Sequence, residues 1–154
     1  MRLHTFTTEE TENAGRELAM QLIERADELI ASDENIFVAF FGNLGAGKTA
    51  FIRGMAQVIA PGAPVSSPTF AIMNEYAGEK YTLCHFDMYR ITNDDDLYSV
   101  GFYDLDGVII AAEWCETIEY ALPKHYFSVN ITNSPENDGS RFIEISEVGS
   151  DETV

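Results

Sequence analysis

A three-layer α/β fold of the P-loop NTPase kind, with a mixed and mainly parallel sheet, is what this 154-residue sequence predicts, on three observations. First, the apolar run Ile36-Phe37-Val38-Ala39-Phe40-Phe41 feeds directly into Gly42-Asn43-Leu44-Gly45-Ala46-Gly47-Lys48-Thr49, a strand entering a loop of the pattern G-x-x-x-x-G-K-[ST]. Second, Val108-Ile109-Ile110-Ala111-Ala112 is a continuous apolar run ending in Glu113, as a strand buried on both faces would be. Third, helix-period segments alternate with strand-type ones, and only one pair of strands reads as a hairpin, so helices must cover the faces of a largely parallel sheet.

Each element has its own local cause. From Thr7-Thr8-Glu9-Glu10 onward, Ala14, Leu18, Leu22, Ile23, Ala26 and Leu29 recur at helical spacing, and Thr7 with Glu10 makes a capping-box signature. A long amphipathic helix is therefore expected ahead of the first strand. The helix-like run Thr49 to Ile59 follows the glycine loop until Pro61-Gly62-Ala63-Pro64 stops it. Val65-Ser66-Ser67-Pro68-Thr69-Phe70 is a polar, proline-fixed stretch that cannot be helix interior. Phe70 to Tyr76 and Tyr81 to Asp87 form a hairpin around Ala77-Gly78-Glu79-Lys80. Asn93-Asp94-Asp95-Asp96-Leu97 reads as a capped short helix or a turn, and His125 to Thr132 and Arg141 to Ser146 are two further β-type runs. Residues 1–148 are expected to form one domain, with 149–154 a flexible acidic tail.

Composition narrows the function classes. A hydrophobic content of 45% with 12% aromatics suffices for one core and leaves no room for a second catalytic domain. No apolar run approaches the roughly 20 residues of a membrane span. Met1-Arg2-Leu3-His4-Thr5 lacks the apolar stretch of a signal peptide, so a soluble, cytoplasmic protein is expected. Cys84 and Cys115 stand far apart with no further cysteines, which removes a C-x-x-C pair or a four-cysteine zinc site and leaves two buried, reduced thiols. The formal charge of −17, from 26 acidic against 9 basic residues, disfavours direct binding of DNA or RNA. The same charge reads equally as plain solubility or as an acidic docking surface.

A nucleoside triphosphate must overcome that field locally. Glycines let the loop curl until its N–H groups point at phosphate oxygens, and the helix beginning there adds its positive end. Lys48 would bridge the β- and γ-phosphates and Thr49 would set its hydroxyl on Mg²⁺. Turnover also needs carboxylates at the end of a buried strand. Glu113 meets that need as a carboxylate of the magnesium shell. Asp87, ending a run with weaker alternation, is open to several roles: general base, water-positioning group, second-shell partner or turn cap. Trp114, the only tryptophan, stacks on a base or ribose or else belongs to the core. His4, His85 and His125 share no metal-ligand spacing, and His85 reads as packing or hydrogen-bonding beside Asp87. Thr69 either senses a γ-phosphate, as switch-loop threonines do, or is an ordinary loop residue.

In order, Gly42 to Thr49, Ser67-Pro68-Thr69-Phe70, His85-Phe86-Asp87-Met88-Tyr89-Arg90 and Glu113-Trp114 resemble the motif series of the TsaE (YjeE) family. These are bacterial ATPases needed for threonylcarbamoyl-adenosine modification of tRNA. The resemblance extends over nearly the whole chain, from Thr11 and Gly15 to the late strands. It implies a Mg²⁺-dependent ATPase of low intrinsic activity that works with TsaB and TsaD, the latter carrying out threonylcarbamoyl transfer, while ATP turnover resets the partner complex. It also implies that Leu44, Gly45, Ala46, Gly47, Lys48 and Thr49 surround the phosphates, that Thr49 and Glu113 hold Mg²⁺, and that Thr11 lies near the base. Asp87 and Trp114 are marked as site residues, with Lys48, Asp87 and Glu113 the catalytic set. Cys115-Glu116 departs from the proline that often follows Glu-Trp in relatives.

Three rival readings are weaker. Asp104-Leu105-Asp106-Gly107 fits the D-x-x-G of a GTPase, but none of Lys48, Lys80 or Lys124 sits in an N-K-x-D motif. A small-molecule kinase with a P-loop fold is the main alternative. Such enzymes need an arginine-rich lid, whereas the six arginines here are scattered and the tract Asn93 to Asp106 is acidic. A nucleotide-dependent binding module, in which hydrolysis is incidental, is the third.

Overall fold

The computed structural model describes residues 1–42, 47–66, 68, 72–136 and 138–149. The elements in chain order are β1 (Arg2–Thr5), α1 (Thr8–Glu24), α2 (Ala26–Asp33), β2 (Ile36–Phe41), α3 (Lys48–Ile59), β3 (Met73–Ala77) and β4 (Thr82–Asp87). They continue with α4 (Asp94–Ser99), a 3₁₀ turn at Phe102–Asp104, β5 (Ile109–Glu113), a 3₁₀ segment at Cys115–Ala121, β6 (Tyr126–Asn133) and β7 (Arg141–Val148). Among the described residues seven strands join one sheet in the order β1-β7-β6-β2-β5-β4-β3. The central strands β6, β2, β5 and β4 run parallel, β3 and β7 run antiparallel to them, and β1, antiparallel to β7, completes that edge.

Strand alternation sorts the core into two layers. Ile36, Val38 and Phe40 of β2 lie with Leu83, Ile109 and Ala111 beneath α1, α2 and α3, where Leu18, Leu22, Phe51 and Met55 cover them. Phe37 and Ala39 point the other way with Cys84, Phe86, Ile110 and Ala112, under a thinner cover from Leu97, Phe102, Cys115 and Ile118. The expected three-layer architecture is therefore present. Both thiols are buried and unpaired; burial pushes Cys84 up to about 11 and Cys115 up to about 12. Among the described residues no helix is long and apolar enough to cross a membrane.

Two expectations about the N-terminal region need correction. A strand precedes the first helix, because Arg2–Thr5 pairs with β7 across nearly the whole sequence, a contact with no local signature. The long helix is broken at Arg25 (φ −105°, ψ 7°), whose guanidinium forks onto Glu147 at 2.9 Å and lies over the Phe127 ring. At the helix start Thr7 accepts from the Glu10 N–H at 3.0 Å, while Glu10 reaches one residue past the usual capping box to the Phe6 N–H at 2.8 Å. Asn93 caps α4 through the Asp96 N–H at 3.0 Å. The hairpin forms with β3 beginning at Met73; Ser67, Thr69, Phe70 and Ala71 lie outside the described residues, as do Leu44, Gly45, Ala46 and 150–154.

Candidate functional site

The phosphate-loop expectation centres on the junction of β2 and α3. Gly47 takes the left-handed conformation (φ 94°) and its carbonyl accepts the first α3 ladder bond from the Phe51 N–H. The amides of Lys48, Thr49 and Ala50 precede that bond, so the positive end of α3 faces the loop with donors to offer. Lys48 is only 3% exposed. Its ammonium donates to the Gly42 carbonyl at 3.1 Å and stands 4.3 Å from the centroid of the Trp114 ring. A charge so desolvated needs both partners.

The carboxylates arrive on neighbouring strands. β4 and β5 are parallel with Asp87 in register with Glu113. Because Leu83, Ile109 and Ala111 face the α3 layer, the two-residue period carries His85, Asp87 and Glu113 to that same side, level with the end of β2. Glu113 is buried at 6% exposure, and its Oε2 accepts from His85 Nε2 at 2.6 Å. Asp87 is half-buried, and its Oδ1 accepts the Tyr89 N–H at 3.0 Å, so it does cap a turn. Trp114 follows Glu113 with positive φ (61°), a strained conformation for a bulky residue, and packs its ring on that of Tyr89 at 5.0 Å.

A cavity of about 230 Å³ opens beside the loop on the other flank, lined by Phe6, Thr7, Thr11, Gly47, Ala50 and Arg141 among others. Thr11 shares a 2.8 Å hydrogen bond with Thr5 and donates to the Thr7 carbonyl at 3.3 Å. Sequence reasoning reached Thr11 but missed Arg141, which the β1–β7 register sets opposite Thr5. Arg141 donates to the Gly139 carbonyl, yet its Nε is buried with no partner among the described residues. Glu116, also missed, accepts the Gly42 N–H at 3.0 Å and ties the 3₁₀ segment to the start of the loop. Neither residue carries a local pattern; only the folded sheet brings them here.

The donor set suits Mg²⁺. Among the described residues no three His, Cys, Asp or Glu side chains converge as a protein cage, while Glu113 and the half-exposed Thr49 offer one carboxylate and one hydroxyl beside a phosphate loop. That is the sparse ligation a hydrated ion completed by phosphates requires. The D-x-x-G tetrad falls elsewhere: the Gly107 N–H bonds the Glu34 carbonyl and the Val108 N–H bonds Asn35, at the entry ends of β2 and β5. It lies a strand's length from the loop.

Comparison with known proteins bears on family and fold. The family model described as "Threonylcarbamoyl adenosine biosynthesis protein TsaE" matches residues 5–143. The tRNA threonylcarbamoyladenosine biosynthesis protein TsaE of Rickettsia prowazekii is 33% identical over 132 residues, covering 84% of this chain and 85% of that protein. Its namesake from Treponema pallidum is 32% identical over 117 residues, covering 74% and 84% respectively. The crystal structure of Bacillus subtilus YdiB superimposes with a TM-score of 0.67 at 25% identity, over 97% of this chain and 86% of that one. The fold is that of a P-loop NTPase, which suggests nucleotide binding, and the chain belongs to the TsaE family of threonylcarbamoyl adenosine biosynthesis proteins.

Proposed function

We propose that this chain binds ATP with Mg²⁺ and hydrolyses it weakly, as a cytoplasmic subunit required for threonylcarbamoyl-adenosine modification of tRNA that acts with TsaB and TsaD. One observation carries the enzymatic part: the desolvated Lys48 ammonium at the start of α3 shares one end of the sheet with Glu113 on the adjacent parallel strand. Family membership supports the tRNA part.

In this reading the amides of Lys48, Thr49 and Ala50 take phosphate oxygens, and Lys48 exchanges the Gly42 carbonyl for the β- and γ-phosphates. Leu44, Gly45, Ala46 and Gly47 complete the cradle. The cavity beside Thr11 and Arg141 receives the nucleoside end. Thr49 and Glu113 hold Mg²⁺, which when bound neutralises charge on the phosphates. Asp87, fixed through Oδ1, has its second oxygen to orient the attacking water. Trp114 serves the triphosphate end by holding Lys48 from the far side.

Phosphate release from ATP and from GTP, with and without TsaB, TsaD and tRNA, tests the reading. Expected are preference for ATP, stimulation by the partners, loss of nucleotide binding in Lys48→Ala and loss of Mg²⁺-dependent turnover in Glu113→Ala. A clear GTP preference, or radiolabelled γ-phosphate appearing on a metabolite, would overturn it.

A further inference from the structure

Resting on the assignment of Glu113 to Mg²⁺, we infer that His85 is a positioning residue that holds the Glu113 carboxylate in its ion-binding orientation. His85 is fully buried, with 0% exposure, on β4. Its Nε2 lies 2.6 Å from Glu113 Oε2. An ionised carboxylate only accepts, so the imidazole donates, and the bond is charge-assisted.

Packing alone gives no reason for an imidazole here. Of its neighbours along and across the strands, Leu83, Cys84, Phe86 and Ala111 are apolar and buried, while Asn74 on β3 gives its side-chain amide to the Ser66 carbonyl. His85 Nδ1 is buried with no hydrogen-bond partner among the described residues. A side chain that leaves half its polar capacity unmet in the core is costlier than an apolar one of the same size. The bond to Glu113 is what the histidine provides in return.

That bond also has a directional consequence. A glutamate carries rotatable bonds that blur where its oxygens sit; a fixed donor on Oε2 removes that freedom and leaves Oε1, which accepts no hydrogen bond among the described residues, for the ion. Asp87, in register with Glu113, is arranged alike, one oxygen held by the Tyr89 N–H and the other accepting no hydrogen bond among the described residues. Two adjacent carboxylates are thus each anchored by one oxygen.

Mn²⁺ binding to the ADP complex, followed by electron paramagnetic resonance, tests this together with ADP affinity in EDTA measured by calorimetry. His85→Phe is expected to weaken Mn²⁺ by about 10- to 100-fold while leaving metal-free ADP affinity unchanged. His85→Gln, whose side-chain amide nitrogen reaches the position of Nε2, is expected to recover most of the loss. Mn²⁺ binding as tight in His85→Phe as in the parent chain overturns the inference, and so does a parallel loss of metal-free ADP affinity in both variants. Should His85→Phe not fold, the ¹⁵N resonance of His85 Nε2 serves instead: it is expected to shift in Glu113→Gln, and an unmoved resonance refutes the bond. A parent chain that binds no ADP sinks the functional reading as well; one that binds ADP and Mn²⁺ normally, indifferent to His85→Phe, sinks only this one.

Discussion

Gly15 of α1 and Gly54 of α3 close the same helix crossing from opposite sides: a Cβ at Gly15 would stand 2.0 Å from the Phe51 carbonyl oxygen, and one at Gly54 1.9 Å from that of Glu12. The two backbones touch, and the Arg53–Glu12 ion pair at 2.9 Å flanks the contact. Thr11 sits one turn before Gly15, so this crossing sets Thr11 against Gly47, where its methyl would lie 3.7 Å from a Cβ. The groups that line the cavity from two helices are thus registered by the absence of two methyl groups.

Gly54→Ala should therefore loosen both fold and site. The clashing atom is backbone and cannot swing aside, so the cost is expected at or above the upper end of the ~1–3 kcal/mol typical of overpacking. Urea unfolding should show a lowered midpoint, and calorimetry a weakened ADP affinity from the displaced α1. An unchanged midpoint would mean that the helices do not meet this closely.

The Trp114–Lys48 contact offers a direct optical readout, because Trp114 is the only tryptophan in the chain. If Lys48 exchanges the Gly42 carbonyl for phosphate oxygens while Trp114 holds it from the far side, the field on the indole 4.3 Å away alters and the emission must change. Titration with Mg²⁺-ATP should shift tryptophan fluorescence saturably, and Lys48→Ala should abolish the response. Trp114→Leu should weaken nucleotide binding by about 10-fold, within the range of cation–π pairs, which runs from about 0.5 kcal/mol when exposed to about 2 kcal/mol when desolvated. A fluorescence response intact in Lys48→Ala would break the link.

What the sequence disclosed and what it hid divide along contact range. The strand before the glycine pattern, the helix after it, the buried β5 and the caps at Thr7 and Asn93 are written in consecutive residues, and each formed where expected. Glu113 was legible as the polar end of an apolar strand. β1 was not, because four residues at a sheet edge gain their identity from β7. The break at Arg25 was hidden likewise, since the fork that holds it comes from Glu147. Arg141 and Glu116 reach the site by pairing across distant segments, and Trp114, readable as a stacking ring, meets a lysine whose position depends on the loop.

Arg141 is the clearest consequence of that hidden layer. Its Nε, buried with no partner among the described residues, lies at the cavity next to Gly47 and Thr11, 3.4 Å from where a Gly47 Cβ would stand. A buried guanidinium donor without an acceptor calls for a ligand oxygen or ring nitrogen. Arg141→Gln should lower ADP affinity by about 10-fold, equivalent to the 1.5 kcal/mol low end of a charged hydrogen bond, with little effect on the unfolding midpoint. Equal affinity for ADP in variant and parent, measured by calorimetry, would remove Arg141 from the site.

Far from the loop, His125 fastens three elements at the other end of the sheet. Its Nδ1 donates to Asp33 at 2.6 Å and its Nε2 to Glu147 at 2.7 Å, which joins the end of α2 to β6 and β7. Both ring nitrogens donate only in the imidazolium. Burial works against that charge, but the hydrogen bonds to Glu147 and Asp33 outweigh it and raise the His125 pKa above its ordinary 6.5. Glu147 is held below its own ordinary value, chiefly by the Arg25 guanidinium. A histidine with a raised folded pKa contributes stability that is complete below the unfolded pKa and fades as pH rises through the folded one. The stability gap between the parent chain and His125→Gln, measured by urea unfolding, should therefore be widest near pH 6 and narrow steadily toward pH 9. A gap that stays constant over that range, or widens with pH, would show that the imidazole fastens these strands without its proton.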